Sequence, residues 1–94
     1  MKAELLLSER QQLTADSFVE LRIWRVAQPV RGSAHAFKYA LAFVVAGVCV
    51  LRYDNEAGKG DHRHIGAAEM AYAFTTPAEL LADFWNEVDQ WRPE

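Results

Sequence analysis

The chain has one cysteine, Cys49, so it can close no disulfide within itself. That excludes the disulfide-stapled scaffolds of small secreted domains. Cys49 sits in an apolar run and is expected to serve as a small buried hydrophobe. Positive charge is also scarce. Ten Lys and Arg stand against 13 Asp and Glu, a formal net charge of −3. No global field draws such a chain to a polyanion, so any nucleic-acid site has to come from a local cluster. Long hydrophobic runs are missing as well. The longest, Tyr39 to Leu51, falls short of the roughly 18–20 residues that a membrane helix needs. Its β-branched residues and Gly47 favour strands instead. Leu5–Leu7, after Lys2, is too short for the apolar centre of a signal segment and runs into Ser8-Glu9-Arg10. A cytoplasmic protein with no membrane contact is the expectation.

What is present is 51% apolar residues in a length of 94, enough for one domain spanning residues 1–94 around one modest core. So small a domain leaves much of its surface in water, which suggests a partner or self-association. Glu4 to Leu13 reads as a weak strand and Thr14 to Ser17 as a turn. Phe18 to Val26 alternates, with Val19, Leu21 and Ile23 on one face and Glu20, Arg22 and Trp24 on the other. Gln28 to His35 is a loop in which Arg31 and His35 are expected to be solvated. Phe37 to Val45 and Val48 to Tyr53 form a hairpin around Ala46-Gly47, and the small Ala40 and Ala42 leave room on one of its faces. Met70 to Phe74 is a last short strand.

A helix follows. Thr76 can cap it, Pro77 suits its first position and Glu79 stands where a capping box needs an acid. Leu80, Leu81, Phe84, Val88 and Trp91 recur at helical spacing, and Pro93 ends the pattern. The expected fold is α+β: a single antiparallel sheet of about five strands with this helix packed on one face. Trp24 is expected to be covered by the helix, and Trp85 and Trp91 to lie in the core or at a subunit interface.

Tyr53 to Gly66 is the chemically rich stretch. It holds two of the three histidines together with Lys59, Arg63, Asp54, Glu56 and Asp61 between glycines. Such residues are rarely buried without partners. His62 and His64 are two apart, so on a strand their rings share one face. Three uses are open. In the first, the histidines are base and acid for phosphodiester cleavage, about 6.5–7 Å apart along the strand. Lys59 would then stabilise the developing phosphate charge and Tyr53 would orient a proton or stack on a base. Arg63 would point away on a regular strand. In the second, His-x-His chelates a divalent metal with Asp54, Glu56 or Asp61. In the third, the stretch is a structural loop whose Asp54 and Asn55 hold a turn. An open cleft at the pair is what an enzyme needs, whereas salt-bridged burial suits a binding module.

Tyr53-Asp54-Asn55-Glu56 followed by Gly58-Lys59-Gly60-Asp61-His62-Arg63-His64 resembles the hallmark of the TumE family of small bacterial toxins. The resemblance extends over essentially the whole chain, in the order opening strand pair, Lys38-Tyr39 hairpin, Thr76-Pro77 helix. It implies the toxin of a type II toxin–antitoxin pair, with a helix-turn-helix antitoxin as partner. By analogy with other small toxins it implies RNA as a candidate substrate and a ribonuclease activity. Metal-independent acid–base catalysis, the first of the three uses read from the histidines themselves, is the chemistry that would serve it. The site residues to test are then His62, His64, Lys59 and Tyr53 for catalysis. Arg63, Asp54, Glu56 and Asp61 are the candidates for substrate binding, and no cofactor is expected. A non-catalytic binding module that inhibits a cellular protein or acts as an accessory regulator is the rival reading.

Overall fold

The computed structural model describes residues 3–56 and 58–93. Lys2, and Ala57 within the polar stretch, lie outside the described residues. The elements are β1 (Glu4–Thr14), β2 (Ser17–Arg25), β3 (Phe37–Val45), β4 (Val48–Asp54), β5 (His62–Ile65), β6 (Ala68–Ala71) and α1 (Pro77–Gln90). The strands form one six-stranded sheet in sequence order, every neighbouring pair antiparallel. The architecture is α+β, as the sequence implies, with one strand more than the five expected. The difference lies after Asp54. The His62–Ile65 segment pairs with β4, and Gly66-Ala67 turns it into β6. Tyr72 to Phe74, expected in a strand, lies beyond it.

Side-chain alternation divides the sheet into two faces. Val19, Leu21 and Ile23 of β2, Tyr39, Leu41 and Phe43 of β3, and Leu51 and Tyr53 of β4 are buried under Leu80, Phe84 and Val88 of the helix. Trp91 closes one end, its ring edge-on to Phe43 at 5.7 Å. The opposite face carries Glu20, Arg22 and Trp24, the small Ala40 and Ala42, then Arg52 and Asp54. Trp24 therefore lies on the open face and not under the helix, because the helix packs on the Val19–Ile23 side. The Lys38 ammonium sits 5.0 Å from its ring centroid instead. Cys49 is exposed rather than buried, since a bulge opposite Phe43/Val44 sets it beside Val44 at the end of the hairpin.

The helix begins where its cap predicts. Thr76 is extended and its hydroxyl accepts from the Glu79 N–H at 3.1 Å. We expect Thr76→Ala to cost about 1 kcal/mol in a urea titration through loss of that bond. An unchanged midpoint would show that water replaces the hydroxyl fully. No helix of the described residues is long and apolar enough to cross a membrane.

Candidate functional site

Gly32 and Gly60 bring two loops together at one end of the sheet. Both have positive φ, and a Cβ on Gly32 would meet the Gly60 nitrogen at 2.5 Å. Only glycine allows this approach. The contact fixes the entry into β5 and presents the Gly60 carbonyl to the His62 ring, whose Nδ1 lies 2.9 Å away.

β5 then places alternate side chains on opposite faces. His62 and His64 stand on the open face, their rings edge to face with centroids 4.9 Å apart. That is closer than the spacing along a strand, because the rings lean together. Asp54, paired with His62 across the ladder, puts Oδ1 3.1 Å from His62 Nε2. Its other oxygen accepts from Arg52 Nε, a bond that raises the Arg52 pKa against the opposing effect of burial. Glu69 of β6 completes the group, 3.8 Å from His62 Nε2 and 3.8 Å from His64 Nδ1. Lys59 is exposed and 3.7 Å from Glu69.

His62 is buried with its Nε2 against Asp54, whereas His64 is half-buried and accessible. A hollow of about 350 Å³, lined by Lys59, Asp61, His62, Glu69, Met70 and Ala71, opens beside His62. A second groove of about 310 Å³ runs over Ala40 and Ala42 between Glu20 and Arg22 on one side and Arg52 and Glu56 on the other. The fold thus gathers Arg22 and Arg52, which are far apart in sequence. Glu56 is exposed and lies 3.5 Å from both Arg52 and Lys38.

Two of the sequence candidates stand elsewhere, and a third, Asp61, lines the hollow but gives its carboxylate to another group. Tyr53 is fully buried on the helix face, where its hydroxyl donates to Glu87. Burial first, then that bond, pushes the phenol up to about 12, so it keeps its proton at neutral pH. Arg63 is on the same face, 2.7 Å from Glu87. Asp61 turns into a third group. It accepts from Ser33 Oγ at 2.8 Å, lies 2.6 Å from His35 Nε2 and accepts from the Tyr39 hydroxyl at 2.7 Å. His35, expected in solvent, stacks on Phe74 at 3.8 Å within this network. Asn55 is fully buried behind it, accepting from Tyr39 N–H and donating to the Phe37 carbonyl and Ser33. Asn55 thus ties the start of β3 to the Ser33 loop rather than holding a local turn. Glu69, by contrast, had no motif to mark it and enters the site only through strand pairing.

Burial by itself would raise the Asp61 carboxyl. The hydrogen bonds from Tyr39, His35 and Ser33 outweigh it and hold the group below the usual carboxylate value. A folded pKa below the unfolded one means stability that is present at neutral pH and is lost as pH falls from about 4 through the folded value. In urea titrations at pH 7 and pH 3, Asp61→Asn should be less stable than the parent at pH 7 and lose less on acidification. An equal acid loss in both proteins would assign it to other carboxylates.

Fold order, the Asp54–His64 string and the capped helix together fit one family. The family model described as Toxin TumE matches residues 2–92. The chain belongs to the TumE toxin family. No curated protein and no solved structure matches it. Membership of the TumE family gives the protein a toxin role and implies a cognate antitoxin. In this TumE toxin the family-like string is split by strand alternation. His62 and His64 stand with Asp54 on the open face, while Tyr53 and Arg63 tie β4 and β5 to the helix.

Proposed function

We propose that this TumE toxin cleaves RNA on the open face of the sheet, by proton transfer at the paired His62 and His64 rings without a metal cofactor. The observation that carries the reading is the accessible His64 ring placed against a buried Asp54–His62 pair, with the exposed Lys59 reaching the same Glu69 carboxylate as His64. Cleavage by attack of a ribose 2′-hydroxyl forms a bond from that oxygen to phosphorus and breaks the bond to the 5′-oxygen. The 2′-proton has to be taken up and a proton supplied to the leaving oxygen. His64 makes the contact with substrate. In this reading the exchangeable proton passes through His64, which takes it from the 2′-oxygen and returns it to the leaving 5′-oxygen, while His62, held by the Gly60 carbonyl and Asp54, stands one ring behind and fixes the His64 ring for that transfer. Lys59 supports the negative charge that grows on the phosphate oxygens. The groove flanked by Arg22 and Arg52 offers the neighbouring phosphates a path to the pair.

In this reading a helix-turn-helix antitoxin silences the toxin in the cytoplasm by protein–protein contact. The outer edge of β1 suits it, because Leu5, Leu6 and Leu13 are exposed on an edge strand. The test of the reading is incubation of purified toxin with total RNA in EDTA. We expect cleavage, and its suppression by the antitoxin.

A second reading, inhibition of a cellular protein without catalysis, is favoured by two observations. His62 is buried against Asp54, the arrangement that suits a binding module. Arg10, Arg22, Lys38, Arg52 and Lys59 on this face each have a carboxylate within 3.7 Å, so an incoming phosphate must displace one. Growth arrest with intact RNA in cells and in the tube would select it.

A further inference from the structure

The contact between Asp54 and His62 poses a problem of charge. Asp54 is 5% exposed, and its Oδ1 finds no hydrogen-bond partner. It faces His62 Nε2 at 3.1 Å. The other ring nitrogen, Nδ1, lies 2.9 Å from the Gly60 carbonyl. A carbonyl only accepts, so Nδ1 holds a hydrogen and, in the neutral ring, Nε2 presents a lone pair. A lone pair and a carboxylate oxygen then oppose each other inside the protein. A cation placed between the two would be held by both atoms at once.

The surroundings fit a metal ion. One nitrogen of His62, one of His64 and one oxygen of Asp54 all lie within 4.8 Å of one another. Ligands bound at about 2.0–2.1 Å around a tetrahedral ion sit roughly 3.3 Å apart, so Asp54 and His62 are already in place. The half-buried His64 has the freedom to close the remaining gap. A backbone carbonyl on the second ring nitrogen is the usual support for a metal-ligating histidine. Arg52 occupies Asp54 Oδ2 and leaves Oδ1 as the single donor. Glu69, 3.8 Å from both rings, can supply the fourth ligand or leave the position to water.

We infer that Asp54, His62 and His64 form a binding site for a divalent transition-metal cation of the zinc class. Two imidazoles and one carboxylate select such an ion over magnesium or calcium, which prefer all-oxygen shells. The consequence for catalysis rests on the proposed ribonuclease reading. A bound ion takes the lone pairs that metal-free proton transfer needs, so filling the site inhibits cleavage.

The test is calorimetric titration of EDTA-stripped toxin with zinc chloride, with magnesium chloride as the control. Saturable binding of one zinc per chain is expected, with none for magnesium and a zinc-dependent rise in the thermal midpoint. His64→Ala should weaken zinc binding at least about tenfold while leaving the metal-free midpoint unchanged. Asp54→Asn gives a second variant with the same expectation for zinc. Absence of saturable zinc binding, or equal binding by His64→Ala, overturns the inference, the latter pointing to Cys49 or another donor. Zinc that binds at the triad and speeds cleavage upholds the site and overturns the metal-free chemistry instead.

Discussion

RNA cleavage by His64→Ala should fall by about 10²–10⁴-fold in EDTA, the range that a positioned acid–base group contributes. The ring is half-buried on the open face, and among the described residues its charged neighbour within ion-pair reach is Glu69 at 3.8 Å. Little of the fold depends on it, so the thermal midpoint should stay where it is. His62→Ala should lose a similar amount, and the double variant little more, because paired catalytic groups act as a unit. Lys59→Ala should slow the reaction by less and leave the fold intact, since Lys59 is exposed and makes one long ion pair. A double variant whose loss equals the product of the single losses would show that the two rings work separately.

Phe84→Ala should destabilise the protein by about 3–5 kcal/mol. Phe84 is fully buried between helix and sheet, its ring edge-on to Tyr53 at 5.6 Å. Removing it opens a cavity under the middle of the only helix among the described residues. For a small domain with total stability of about 5–15 kcal/mol, that is a large share. A denaturant titration reads it directly. A near-neutral result would mean that the helix is held mainly by its ends and by the Tyr53–Glu87–Arg63 group.

The physical origin of each element explains why some were readable and others were not. Val19, Leu21 and Ile23 alternate with polar residues, so both the strand and its buried face follow from the order of the side chains. Thr76, Pro77 and the Leu80–Phe84–Val88 spacing specify the helix in the same local way. β5 is different. His62-Arg63-His64 has no apolar alternation, and its strand character comes from pairing with Asp54, Tyr53 and Arg52. Non-local pairing also puts Glu69 beside the histidines. Alternation does separate His62 and His64 from Arg63 once β5 is known to be a strand. The same rule sends Tyr53 to the helix face, away from a site that its neighbour Asp54 joins. The positions of His35 and Trp24 are not legible in the sequence for a related reason. The first depends on the Gly32–Gly60 loop contact, and the second on which sheet face the helix covers.

The central claim is that the open face around His62 and His64 is where the toxin acts. Growth after induction of the parent and of His64→Ala, each without antitoxin and at equal soluble level, tests it most directly. The account predicts arrest by the parent and growth with the variant, whose purified form melts at the parental temperature. Full arrest by a folded, equally abundant His64→Ala protein would contradict it.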